Sequence, residues 1–320
     1  MINQLKIENF RGIDNVEIND MKRICLISGK NNVGKSTILE ALFLLIDHMA
    51  SNSFIKLNNF RGKSGVSQTD LWAPLFNNLD TDKVINLSIK QEDVESTLKY
   101  MKDTNYLPQS QSGIPEDVLA QFKSFAKESY SLMFEYSEGG YKESGHFFSA
   151  ETNGILRQVS TNKADNELKP MIRVQFVNSI LSRSMDMVID GIGKMELDGK
   201  KSEVIDILKE IDPAIEDIVT ISRQNVSQLH VRVKGKWIPL EFAGDGVMKL
   251  LHICMAIWER KNSLILIDEI ETGFHYSMYG SLWRIVNKIS KEANCQVIAT
   301  THSYEMISAL KENAVDTNEL

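Results

Sequence analysis

Hydrophobic and polar residues alternate along this chain in two different rhythms. Near the start, Leu5-Lys6-Ile7-Glu8-Asn9-Phe10 changes character at every step, which predicts a strand with one buried face. Arg11-Gly12 breaks that strand, and Val16-Glu17-Ile18 predicts a returning one. Residues 84–89 and 130–136 alternate in the same way, and Gly139-Gly140 reads as a hairpin turn after the second. Between them, residues 117–127 read as a helix behind a Pro/Gln/Ser loop. The polar, Asn/Lys/Gly-rich stretch 51–64 reads as a loop.

The second rhythm is one of short, continuous apolar runs. Residues 24–28, 263–268 and 296–300 have the pattern of strands buried on both faces. Helix-length apolar-rich runs occupy 38–45, 246–260 and 276–293. Residues 202–209 also read as helix, and 230–233 as a strand turned by Gly235. Strand and helix alternating in this way predict an α/β fold with a parallel sheet covered on both faces. The middle third reads as strands and loops around modest helices, with no sustained heptad seam, internal repeat or low-complexity tract. The expected organisation is 1–50 as the first part of the main fold, 51–170 as a β-rich middle region and 171–320 as a C-terminal lobe.

Composition narrows this picture. At 320 residues the chain can bury a substantial core as one large domain or two. A formal charge of −7 gives no bulk attraction to nucleic acid or anionic membrane, although a local basic patch stays possible. Cys25, Cys254 and Cys295 lie far apart, each in an apolar segment, without metal-type spacing. That argues for buried thiols in a reducing cytosol. Met1-Ile2-Asn3-Gln4 is no signal peptide, and Glu40 interrupts the longest apolar run, so a soluble cytoplasmic protein with no membrane role is expected.

Chemistry enters at residues 29–37, Gly29-Lys30-Asn31-Asn32-Val33-Gly34-Lys35-Ser36-Thr37, a complete Walker A loop between a predicted buried strand and a predicted helix. Glycines turn backbone N–H groups toward phosphate oxygens, and the helix N-terminus adds partial positive charge. Lys35 is placed for the β- and γ-phosphates, and Ser36 for Mg²⁺. Far downstream, Leu264-Ile265-Leu266-Ile267-Asp268-Glu269 has the form of a Walker B strand. Asp268 at its end suits the Mg²⁺ shell, and Glu269 suits an attacking water. Thr301-His302-Ser303 follows the next buried strand, where His302 can touch a γ-phosphate.

Phe10-Arg11-Gly12, Gly34-Lys35-Ser36-Thr37, Asp268-Glu269 and Thr301-His302-Ser303 together resemble ABC-type ATPases of the SMC/RecF kind. Residues 268–275 followed by Thr300-Thr301-His302-Ser303 look most like OLD-family and related AAA-family ATPases, many of them from anti-phage defence systems. The likeness covers about the first 50 residues and the last 80. It implies an ABC-type P-loop head with a β-rich subdomain, paired head to tail, with ATP held between one Walker A loop and the partner's signature loop. The signature position is Glu241 to Lys249, with Gly244, Asp245 and Gly246 as phosphate contacts. It departs from the family pattern: Gly244 stands about where the serine is expected, and Val247-Met248 replaces a polar pair. Arg11 resembles the arginine that lies against the nucleotide in SMC-type heads. Gln68 and Gln91 are candidates for the Gln loop on position alone.

OLD proteins carry a metal-dependent TOPRIM nuclease after the ATPase, and this sequence stops eighteen residues after His302, so either the nuclease is a separate partner or the chain is a portion of something longer. The pairs Asp186/Asp190 and Asp212/Asp217 read as helix-surface charge. The expectation is therefore an Mg²⁺-dependent ATPase controlling a separate effector such as a nuclease in a defence or DNA-processing complex. A RecF-like repair ATPase clamping DNA directly and a non-hydrolysing ATP-dependent scaffold remain as alternatives, and a ring-forming AAA+ motor fits less well.

Overall fold

The computed structural model describes all residues except 49, 51–52, 62–71, 105–130, 153–154, 165–171, 178–184, 224–225 and 314–320. In chain order the strands and helices are β1 (Ile2–Phe10), β2 (Ile13–Ile18), β3 (Ile24–Ser28), α1 (Lys35–Ile46), α2 (Ser53–Phe60), β4 (Ile85–Gln91), β5 (Val94–Asp103), β6 (Ser131–Glu138), β7 (Tyr141–Thr152), β8 (Ile155–Ala164) and β9 (Arg173–Val177). Then come α3 (Asp186–Leu197), α4 (Lys201–Ile211), β10 (Ile215–Arg223), β11 (Val226–Val233), β12 (Lys236–Pro239), α5 (Asp245–Glu259), β13 (Ser263–Ile267), α6 (Tyr279–Glu292), β14 (Gln296–Thr301) and α7 (Tyr304–Asn313). They form two compact units: Met1–Met21 with Asn32–Met171, and Lys22–Asn31 with Ile172–Leu320.

The first unit is built on a seven-stranded sheet in the order β2-β1-β4-β5-β6-β7-β8, antiparallel between all its neighbours. Alternation along β1 and β4 puts Leu5, Ile7, Ile85 and Leu87 inside, as the period-two pattern requires. Gly139-Gly140, both at positive φ, turns β6 into β7 as predicted. The loop expected over 51–64 is corrected: residues 53–60 are helix α2. Phe54 is buried against Trp72, Tyr100 and Phe147 at ring distances of 5.0, 5.4 and 5.2 Å. Burying Phe54 and Leu57 on one helical face overrides the weak helix propensity of a Ser/Asn-rich stretch. The helix expected over 117–127 and the candidate Gln68 lie outside the described residues; Gln91 ends β4 and pairs with Val94.

The second unit contains a four-stranded sheet in the order β3-β14-β13-β9, parallel throughout. Every residue of β13 and β14 is buried, so both faces of these central strands are covered, as continuous apolar runs predict. A three-stranded antiparallel sheet, β10-β11-β12, completes it. The Asp186 and Asp190 side chains lie on α3 as surface charge. Asp212 and Asp217 correct the helix-surface reading: Asp212 closes α4 and accepts from Ala214 N, while Asp217 lies in β10, 3.3 Å from Lys201 Nζ. Cys254 and Cys295 are buried, but Cys25 is only partly so. Among the described residues, no helix is long and apolar enough to cross a membrane.

Candidate functional site

The parallel register of the second unit carries Ser28, Ile267 and Thr301 to the same edge of the sheet, the carboxyl ends of β3, β13 and β14. Ligands in open α/β sheets bind outside that edge. The phosphate loop leaves from β3, with Gly29, Lys30 and Asn31 exposed. His302 leaves from the neighbouring β14, and Asp268 and Glu269 leave from β13 beyond it.

At this edge Thr300 is the hinge of a small hydrogen-bond relay. Its hydroxyl donates to Asp268 Oδ1 at 2.6 Å and accepts from the Glu269 backbone N–H at 2.8 Å. The carbonyls of Asp268 and Glu269 both accept from Lys249 Nζ, the first at 3.5 Å. Glu269 itself sits at φ 49°, a left-handed conformation costing roughly 1–2 kcal/mol in a non-glycine residue, which these neighbours hold in place. Its carboxylate stays half-exposed. Thr272 Oγ1 donates to Oε2 at 3.3 Å, and His302 Nε2 lies 3.5 Å from Oε1. The His302 backbone N–H donates to Glu271 Oε1 at 2.6 Å, fixing the start of that loop. A carboxylate so held, facing solvent beside an imidazole, can take a proton from water.

Lys249 was not singled out in the sequence, nor were Thr300 and Glu271 assigned roles. The signal for Lys249 is a lone cation inside the apolar helix run that became α5. It is buried, and desolvation lowers its pKa to about 8 against the raising pull of Glu271, Glu269 and Asp268. The signature stretch sits at the head of the same helix. Gly244, at φ 104°, precedes α5 without a side-chain cap, and Asp245 is exposed in its first turn. Gly246 is buried, and a Cβ there would lie 2.6 Å from the Gly273 carbonyl oxygen of the same chain. Its missing side chain thus serves packing of α5 onto the 271–274 turn.

In the first unit, Asn32 at φ 62° and Gly34 at φ 96° carry the phosphate loop, with exposed Val33 between them, into α1. No side chain caps that helix and no acid lies in its first turn, so its positive end suits a phosphate. Lys35 and Thr37 are buried in the first turn, with Ser36 between them. Arg11, at φ 52°, is largely covered, with its Nε 3.0 Å from Glu40 Oε2. Burial, and then the neighbouring Arg61, lower its pKa to about 10 against the pull of Glu40.

A strand running into a glycine loop and a strand ending in paired carboxylates, on one parallel sheet, are features of the ABC-type P-loop ATPase fold. The chain belongs to the family described as "AAA domain, putative AbiEii toxin, Type IV TA system", which matches residues 24–308. It is 27% identical to an "ATP/GTP phosphatase" of Helicobacter pylori over 98% of this chain and 88% of the relative. It is 24% identical to the "Septu protein PtuA" of Bacillus thuringiensis over 98% of this chain and 74% of that one. Among solved structures, an SMC head bound to the C-terminal winged-helix domain of ScpA aligns with a TM-score of 0.50 at 12% identity, over 96% of this chain and 92% of that chain. At that identity the likeness speaks to the fold alone.

Proposed function

We propose that this chain is the regulatory ATPase of an anti-phage defence or DNA-processing complex, hydrolysing Mg·ATP and coupling nucleotide state to the pairing of two heads. The observation that carries the reading is the strand-end relay, in which Thr300 orients Asp268 and Glu269 and His302 meets the Glu269 carboxylate. Lys35 and the amides of residues 29–37 hold the phosphates. The Ser36 hydroxyl and Asp268 carboxylate are the hard oxygen donors that Mg²⁺ takes, and the ion would neutralise charge on the transferred phosphoryl group. Glu269 receives the proton of the attacking water, while His302 orients Glu269 and reads the γ-phosphate. The Septu relative supports a defence role. The output would come from a partner protein such as a nuclease, docked through the β-rich unit, in the cytoplasm.

Pairing is tested by mixing variants. Lys35→Ala removes the phosphate lysine, and Asp245→Trp covers the exposed signature edge without touching the Gly246–Gly273 contact. In a head-to-tail dimer both lesions fall on one interface, so each mixed dimer keeps one intact site. Turnover should return on mixing two inactive proteins. Its absence from demonstrated mixed dimers would remove the trans-acting signature from this reading.

The assignment of output to a partner has its own test. Among the described residues no group of three or more His, Cys, Asp or Glu is arranged to hold a metal. Two-metal phosphodiester cleavage needs carboxylates converging on ions about 3.5–4 Å apart. Highly purified protein should leave plasmid, linear DNA and tRNA intact with Mg²⁺ or Mn²⁺. Cleavage that co-purifies with the chain and survives Lys35→Ala would place a nuclease site within it.

A further inference from the structure

Two tetrapeptides in this chain are identical, Asn9-Phe10-Arg11-Gly12 and Asn59-Phe60-Arg61-Gly62. Their arginines stand in unrelated places: Arg11 follows the end of β1 and Arg61 follows the end of α2. Both arginines nevertheless reach one carboxylate, Glu40 of α1. Arg61 grips it as a fork, with Nε 2.7 Å from Oε1 and the second guanidinium contact 2.9 Å from Oε2. Arg11 Nε approaches the same Oε2 to 3.0 Å. The Glu40 side chain is 2% exposed, and an acid that deep is tolerated only when paired.

The position of Glu40 on the helix gives this cluster its meaning. It lies three residues after Thr37 and four after Ser36, so all three share a face of α1. Helical side chains lean toward the N-terminus, which carries the carboxylate toward the phosphate end. Arg61 Nη2 comes within 3.5 Å of Thr37 Oγ1, the last residue of the phosphate loop. A lone carboxylate here would repel a triphosphate, whereas one acid with two guanidiniums leaves a net positive charge. Arg11 is also held through its backbone: its N–H donates to Leu75 O at 2.8 Å, and its carbonyl accepts from Asn77 Nδ2 at 3.1 Å.

We propose that Glu40 is a positioning residue for nucleotide turnover, holding Arg11 and Arg61 beside the phosphate loop so that their charge is fixed before a triphosphate binds. Charge fixed in advance needs no reorganisation during reaction. The proposal rests on the reading that residues 29–37 bind nucleotide.

The test compares ATP affinity, kcat, KM and Tm for the full chain and for Glu40→Gln, Arg61→Gln, the double variant and Lys35→Ala. Glu40→Gln keeps the size of the side chain but releases the arginines. Its kcat should fall ~10- to 100-fold, the scale of a small misplacement, while ATP affinity holds, because the local positive charge is not reduced. Arg61→Gln, which leaves Glu40 with Arg11, should show the same direction in kcat, with ATP affinity again held. The double variant should be no worse than the worse single one, because both cut the same link. Wild-type kcat in Glu40→Gln, or losses that multiply in the double variant, would overturn the proposal. If Glu40→Gln does not fold, wild-type kcat in Arg61→Gln overturns it alone. Turnover surviving in Lys35→Ala would instead sink the nucleotide reading of the loop, whatever Glu40 does.

Discussion

Glu269→Gln should bind ATP as the wild type does and turn it over ~10²–10⁴-fold more slowly, the usual contribution of a well-placed base. The amide keeps the shape of the side chain but cannot accept the proton of the attacking water. The backbone contacts that hold residue 269 at positive φ, from Thr300 Oγ1 and Lys249 Nζ, do not involve the carboxylate and survive the change. An ATP-loaded oligomer should therefore accumulate and be seen by size-exclusion chromatography. Wild-type turnover in this variant would take Glu269 out of the chemistry, and loss of ATP binding would make it a structural residue.

Lys249→Met should lose both turnover and stability, although Lys249 carries none of the reacting groups. The thioether fills much of the lysine's volume but removes the ammonium's hydrogen bonds to the Asp268 and Glu269 carbonyls, of which the second keeps the Thr272 N–H at 3.0 Å. Losing a hydrogen bond made by a charged donor costs about 1.5–3 kcal/mol. The turn that presents Glu269 then relaxes from its left-handed conformation, and kcat should fall by an order of magnitude or more. The pH dependence of stability separates this account from simple loss of packing. The folded pKa of Lys249 is about 8, below the 10.5 of a free lysine, so the unfolded chain holds this proton more tightly. Between pH 8 and 10.5 the unfolded state carries more protons at this site, and stability from this group must rise with pH. The wild type should therefore gain stability relative to Lys249→Met as pH climbs through that window, measured by denaturant unfolding. A constant difference would show that Lys249 is not held as a desolvated cation.

The local part of this molecule was legible before folding was considered. Alternation in residues 5–10 and continuous apolar runs at 263–267 and 296–300 report directly which strands are buried on one face and which on both, because side-chain period and burial are properties of the single strand. Residues 29–37 have the form of a phosphate loop because its glycines and lysine stand at fixed spacing along one short segment. Asp268, Glu269 and His302 could be named because each follows directly on a buried strand.

Other features depend on where the fold brings distant segments. Residues 53–60 look like loop by composition and become α2 because Phe54 and Leu57 find partners on a sheet the local sequence does not show. Gly246 looks like a residue kept small for a ligand, yet its Cβ position is closed by the Gly273 carbonyl. Lys249 and Glu40 appear in the sequence only as charges interrupting apolar helices. A buried charge needs a partner, and a linear sequence does not say which one. That Lys249 holds the Asp268-Glu269 turn, and that Arg11 and Arg61 share Glu40, was decided only when the chain closed on itself.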